Sequence, residues 1–268
     1  MSAEALASSV SSGAPIEGRG ITKRFAARRS VFTALDDVSF AIRGGEFVSL
    51  IGPSGCGKST LMLIAAGLSQ ATQGEILIGG RRLGAPLTDV GIVFQDHLLL
   101  EFRTALDNIL MQHVIRGLPL DRGRIEALAL MEKLGIAEAA DRYPKHLSGG
   151  MRQRVSIARA LIHQPSVLLM DEPFGALDAI TRTQIRHDLE LLWLETRKTV
   201  LFITHSVEEA VGLSDRVLVM SPSPGRIVEE IAIDLPRPRP AHLGEYPTFN
   251  VYAERIHAAF QRMGVIKY

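Results

Sequence analysis

The stretch Gly52-Pro-Ser-Gly-Cys-Gly57-Lys58-Ser59-Thr60 follows directly on the apolar run Phe47–Ile51 and runs into the helix-compatible LMLIAAGL. It matches G-x-x-x-x-G-K-[ST], a pattern that needs a strand to deliver the loop and a helix to receive it. A backbone this bare lets consecutive N–H groups turn inward. The start of the following helix adds its own partial positive charge, so the loop suits phosphate oxygens. Lys58 then suits a bridge between β- and γ-phosphates, and Ser59 a Mg²⁺ ligand. A tight glycine turn with an exposed lysine is the plain alternative, and the strand-loop-helix setting argues against it.

The alternation continues along the chain. Short apolar runs at Phe47–Ile51, Val90–Phe94, Val167–Met170, Val200–Ile203 and Arg216–Met220 read as buried strands. Segments with helical spacing lie between them, at Ile125–Leu134, Met151–Ile162 and Thr181–Leu194. The pattern predicts an α/β fold with a mainly parallel sheet. Gly74–Gly80 and Ser39–Ile42 read as antiparallel strands flanking that core. Residues from about 98 to 146 lack strand patterning and read as a mainly helical subdomain, and LPRPRPAHLGEYP after Asp234 reads as extended.

With 268 residues, 46% apolar, the chain has material for one large or two modest domains. A formal net charge of +1 gives no electrostatic case for nucleic acid as a partner. The lone Cys56 excludes an internal disulfide framework and reads as a small space-filler in the glycine loop. The small, polar N-terminus reads as a flexible tail without a secretory signal. No apolar run approaches the ~20 residues that span a bilayer. Any membrane role must therefore come through a partner.

Two carboxylates, Asp171 and Glu172, emerge at the end of the strand VLLM, where α/β sheets place their ligands. Asp171 suits the Mg²⁺ shell, and Glu172 suits polarisation of an attacking water. Alone, such a pair is commonly a solvated loop start. With a phosphate loop upstream, it indicates a nucleoside triphosphatase.

The third motif is Leu147-Ser148-Gly149-Gly150-Met151-Arg152-Gln153-Arg154, about twenty residues before the two acids. Here the sequence resembles the ATP-binding-cassette family, a P-loop NTPase fold whose core carries an antiparallel β subdomain and a helical signature subdomain. Leu147–Met151 resembles the LSGGQ signature, Gln95 the Q-loop, Gly175–Asp178 the D-loop and Thr204-His205 the switch histidine. Phe25 occupies the place of the aromatic that stacks on adenine, with Phe32 a rival. The resemblance implies ATP and Mg²⁺ as cofactors. ATP would be held by Phe25, Gly52, Pro53, Ser54, Gly55, Cys56, Gly57, Lys58, Ser59 and Thr60. Ser148, Gly149, Gly150 and Asp178 would hold it from a partner cassette. Mg²⁺ falls to Ser59, Gln95 and Asp171, and catalysis to Glu172, His205 and Gln95. The structural alternatives are a plain helix cap for LSGG and for Asp178, a satisfied buried histidine for His205, and a polar strand end for Gln95.

The resemblance also implies an organisation and a setting. Residues 1–15 would be the tail, 16–235 the ATPase domain with its helical subdomain at about 98–160, and 236–268 a short extension. Two cassettes would pack head to tail as a homodimer on two integral-membrane permease subunits, at the cytoplasmic face of the cell membrane. An extracytoplasmic solute-binding protein would take part indirectly. Glu172–Arg182 (EPFGALDAITR) and Ser221–Ile227 (SPSPGRI) resemble the nitrate/sulfonate/taurine group of bacterial importers. Riboflavin or thiamine-precursor uptake and a soluble, non-transport switch are the alternatives. Two departures from the family stand out: Met151 replaces the signature glutamine, and DHLLLEFR after Gln95 replaces a stretch often ending in LLPWR. That segment would edge the permease cleft with Leu98, Leu99, Leu100 and Phe102, with Glu101 and Arg103 at its rim. Subdomain core is the alternative for Leu98 and Leu99.

Overall fold

The computed structural model describes residues 13–27 and 30–266. Its centre is β3 (Phe47–Ile51), buried along its whole length. The strand lies parallel to both β8 (Thr199–Thr204) and β9 (Arg216–Met220), which explains its near-continuous apolar run. Its one polar side chain, Ser49, shares a 2.5 Å hydrogen bond with Ser214. The sheet runs on through β7 (Val167–Asp171) to β6 (Val90–Val93), and on the other side to β10 (Ile227–Ala232), giving the order β10-β9-β3-β8-β7-β6. Only the β9–β10 pairing is antiparallel.

A second sheet, wholly antiparallel, has the order β2-β1-β4-β5. It comprises β1 (Ile16–Ala27), β2 (Ser30–Ile42), β4 (Gln73–Ile78) and β5 (Arg81–Arg82). The two strands expected at Ser39–Ile42 and Gly74–Gly80 pair with β1 rather than with each other. Helix α1 (Lys58–Ala65) packs in the apolar layer between the two sheets. Glycine 13 to proline 15 already belong to the packed body: Ala14 donates to the Ser166 carbonyl, and the Pro15 carbonyl accepts from Gly79. The rest of the expected tail, residues 1–12, lies outside the described residues.

The helical layer holds α2 (Ala105–Arg116), α3 (Leu120–Lys133) and α4 (Gly149–Leu161), which share one apolar core with the outer face of the main sheet. Helix α2 starts at Thr104, whose hydroxyl accepts from the Asp107 N–H, and stops at Gly117 in the left-handed conformation. Helix α5 (Ala179–Thr196) brings Trp193 edge-on to Phe47, ring centroids 5.7 Å apart.

The proline-rich stretch read as extended carries no helix or strand at residues 233–242, and a short 3₁₀ turn at Leu243–Glu245 follows it. Residues 235–240 form a strap whose arginines turn inward. Arg237 donates to Glu190 on α5 and to Asp215, and its guanidinium lies 4.5 Å from the Trp193 ring centroid. Arg239, 1% exposed, donates its backbone N–H to the same Glu190 and its side chain to the Val211 carbonyl. The strap leads to α7 (Pro247–Arg262), whose Phe249, Tyr252, Ile256, Ala259 and Phe260 close a third apolar cluster against α6 (Val207–Leu213), β9 and β10. The extension is thus tied into the core by buried charge pairs and an amphipathic helix.

Candidate active site

The loop after β3 leads into α1 with Gly57 as the cap residue at φ 102°, and no side chain caps the helix. A Cβ on Gly57 would lie 2.8 Å from the Ala34 carbonyl oxygen, so only glycine fits. The first-turn N–H groups of α1 therefore face outward as an anion site. Lys58 is 5% exposed; its ammonium donates to the Gly52 and Pro53 carbonyls at 2.9 and 3.0 Å. The same nitrogen stands 4.0 Å from a Glu172 carboxylate oxygen.

A cavity of about 370 Å³ opens over this loop, lined by Ser54, Gly55 and Gly57–Thr60, with Gln95 and Glu172 on one side. Phe25, Phe32 and Ala34 line the other. Phe25 and Phe32 are cross-strand partners at the end of the β1–β2 ribbon, so both rivals reach the cavity. Lys23 stands 5.0 Å from the Phe25 ring centroid.

Three residues of the expected nucleotide loop do not line this cavity. Gly52 and Cys56 are packed beneath it, and Pro53 contributes its carbonyl to Lys58. Burial pushes the Cys56 thiol up, so it stays protonated in its apolar cluster, as a space-filler would.

Asp171 ends β7 and is 8% exposed. Burial pushes its carboxyl up, and a hydrogen bond from Ser59 opposes that shift. Its Oδ1 is buried without a hydrogen-bond partner. Glu172, the next residue, has φ +42°, a left-handed backbone that costs a non-glycine residue about 1–3 kcal/mol. The turn is held by the Glu172 N–H donating to Ile203 and by its carbonyl accepting from Gly175. His205 Nδ1 lies 3.0 Å from Glu172 Oε2, hydrogen-bond distance between ring nitrogen and carboxylate.

The signature lies elsewhere. The Ser148 hydroxyl caps α4 by accepting from Met151 at 3.2 Å. Gly150 is pressed against Thr181, where a Cβ would approach Cγ2 to 2.5 Å. Ser148, Gly150 and Met151 line a separate cavity with α3 and α5. Asp178 caps α5 by accepting from Thr181 at 3.0 Å and is fully exposed. Within one chain, then, the phosphate loop, Gln95, Glu172 and His205 come together; Ser148–Gly150 and Asp178 do not join them.

Sequence reasoning passed over two polar anchors. Buried Asn108 on α2 holds the turn after the Q-loop: its side chain accepts from the Leu100 N–H and donates to the carbonyls of Leu100, Arg103 and Thr104. Gln153 on α4, fully buried, meets His97 Nδ1 at 2.7 Å. Arg159, also on α4, donates to the His97 and Leu98 carbonyls. A polar residue at a core-facing helical position, as both amides are, was the available signal.

The chain is similar to known proteins in both sequence and fold. The family model described as ABC transporter matches residues 35–175. An uncharacterized ABC transporter ATP-binding protein of Methanocaldococcus jannaschii is 46% identical over 220 residues, 82% of each chain. Aliphatic sulfonates import ATP-binding proteins SsuB are similar too. The one from Bacillus cereus is 39% identical over 92% of this chain and 96% of its own. The one from Yersinia pestis is 45% identical over 85% of this chain and 79% of its own. Among solved structures, a dimeric ATP-binding cassette in a post-hydrolysis state with ADP and Pi superposes with TM-score 0.74. It is 31% identical and covers 82% of this chain and 99% of its own.

Proposed function

This chain belongs to the ABC transporter family of ATPases, and on that premise we propose that it is the ATP-hydrolysing subunit of a bacterial importer for aliphatic sulfonates. The observation that carries the reading is the division of parts. One cavity holds the phosphate loop, Gln95 and Glu172, while the capped signature of the same chain faces a different cavity. A second phosphate-binding helix start in the wrong cavity makes sense when it serves another copy's nucleotide. The sulfonate assignment rests on the names of the import proteins to which the chain is similar.

Each side chain then has a task. The α1 N–H groups and Lys58 bind the phosphates, and Phe25 and Phe32 offer apolar rings to the base. Glu172 takes a proton from water as it attacks, and His205 orients that carboxylate through Nδ1. Ser148 and Asp178 face the partner cassette. Mg²⁺ fits the acidic end of β7: the unpartnered Asp171 Oδ1 and the adjoining Ser59 hydroxyl are oxygen donors of the kind it takes, with Gln95 across the cavity. Among the described residues no group of three or more His, Cys, Asp or Glu could hold a metal ion. When bound, Mg²⁺ neutralises phosphate charge.

Among the described residues no helix is long and apolar enough to cross a membrane. On the proposed function, attachment to the cytoplasmic face of the membrane runs through two permease subunits, with a solute-binding protein delivering substrate from the other side.

The test is Glu172→Gln, which keeps size and hydrogen bonding but loses the base. ATP should still bind, turnover should fall by roughly 10²–10⁴-fold, and an ATP-bound dimer should accumulate in gel filtration. A variant that stays monomeric and hydrolyses ATP at the parental rate overturns the assignment.

A further inference from the structure

Beside the switch histidine lies a buried acid that the mechanism above leaves idle. Glu209, on α6, is 4% exposed and meets groups from two other segments. Its Oε2 accepts from the Thr204 hydroxyl, one residue before His205. Thr204 Oγ1 itself accepts the Ser206 N–H at 3.0 Å, which leaves its own proton directed at Glu209. Ser206 closes the ring by capping α6, accepting from the Glu209 N–H at 3.3 Å. Glu209 thus holds both residues that flank His205, Thr204 through its carboxylate and Ser206 through its backbone N–H.

Its other oxygen faces α5. Glu209 Oε1 is 3.7 Å from Arg182 Nε, in the first turn of α5. Arg182 Nη2 donates to the Leu177 carbonyl at 2.9 Å, directly before Asp178. Arg182 Nε is buried and has no hydrogen-bond partner. A buried donor left unpaired is costly, and a carboxylate stands just beyond bonding range. A small approach of α5 toward the switch turns this ion pair into a charge-assisted hydrogen bond.

We propose that Glu209 is a positioning residue that couples the His205 switch to the Leu177–Asp178 loop through Arg182. The inference rests on the reading of the chain as an ATPase that works as a dimer. Nucleotide contacts made at His205 shift Thr204 and Glu209, and Arg182 carries that shift to the loop facing the other cassette. The structure shows the open 3.7 Å pair; closure of the dimer would shorten it to the bond, giving the relay its second arrangement.

The experiment compares Glu209→Gln, Arg182→Gln, their combination, and Arg182→Lys in the full chain. ATP titration of the isolated subunit, kcat and KM from steady-state hydrolysis, and thermal unfolding are read for each. Gln at 209 keeps an oxygen for Thr204, loses the charge, and turns an NH₂ donor toward Arg182 Nε in place of the acceptor. Each glutamine variant should lower kcat about tenfold with ATP affinity within about twofold. The double variant should be no worse than either single one, and Arg182→Lys should recover most of the rate. Losses that multiply to about a hundredfold in the double variant, or variants that melt early with parental kcat, overturn the relay. Parental protein in the same assay keeps the two readings apart: if it shows no ATP hydrolysis at all, the ATPase reading falls, and the relay with it.

Discussion

Glu172 holds a left-handed backbone although it is not glycine, and it does so between a buried strand end and the Gly175 N–H. Strain of this kind persists where the surroundings over-determine a residue, which fits a carboxylate that must be aimed. Lys58 and Ser148 separate by the same residue-scale logic. Lys58 lines the cavity over its own loop, whereas Ser148 lines another. Lys58→Ala removes a charge-assisted contact to phosphate and should weaken ATP binding by the isolated subunit roughly 10- to 100-fold. Ser148→Arg should leave that binding within about twofold, although it also removes the α4 cap, worth about 1 kcal/mol. It should block dimer closure and hydrolysis. Nucleotide titration beside turnover reads both; equal loss of affinity in the two variants would put Ser148 in its own chain's site.

At the scale of elements, the parallel core was legible because strands buried on both faces need apolar runs, and Phe47–Ile51 or Val167–Met170 can be little else. Strand β1 was not, because IEGRGITKRFAA is mixed in polarity, bulged and half solvated. Helix α7 hides behind a proline-rich strap, although Phe249, Tyr252, Ile256, Ala259 and Phe260 keep helical spacing. Motif spacing likewise named the site residues without telling cavity-lining groups from those packed beneath, as Cys56 is. The seam between α2 and the core adds a pH dependence that no motif announced. Burial, with the Arg116 charge next, pulls His163 down to about 4, from an ordinary value near 6.5. The unfolded chain therefore binds the proton more readily between those values. Stability is intact above pH 6.5 and falls as pH drops toward 4. His97, also lowered by burial, acts in the same direction. His163→Leu should shrink the fall in melting temperature between pH 7 and pH 5 by about 2–4 °C, the effect of ~1 kcal/mol on a domain of this size once the partial exposure of His163 has discounted the shift by about half. An unchanged pH slope would rule out His163 as a source.

For the molecule as a whole, α4 joins what the two cavities separate. Its N-terminus carries Ser148, while Gln153 and Arg159 farther along grip His97 and Leu98 just after Gln95. Asn108 braces the next turn from α2. Residues 97 and 98 are thus tied to the signature helix, and residues 100 and 103 to α2, by hydrogen bonds. The apolar residues of that segment divide clearly. Leu99 packs against the helical core and so belongs to the alternative weighed for it, whereas Leu98 and Phe102 are 57% and 72% exposed. An exposed phenylalanine on a braced turn suits a partner's groove-filling helix, since aromatic anchors dominate such contacts. With the permease docking there as proposed, Phe102→Ala should weaken assembly at least tenfold, the ~1.4 kcal/mol or more typical of a lost anchor. Transport should uncouple, while ATP affinity of the isolated subunit stays within about twofold. Leu99→Ala makes the contrast, because trimming a partly buried residue that packs on the core costs about 1–3 kcal/mol of stability. Co-purification of permease with each variant, beside thermal unfolding and nucleotide titration, separates the cases. Parental assembly and transport in Phe102→Ala would move the docking surface away from this turn.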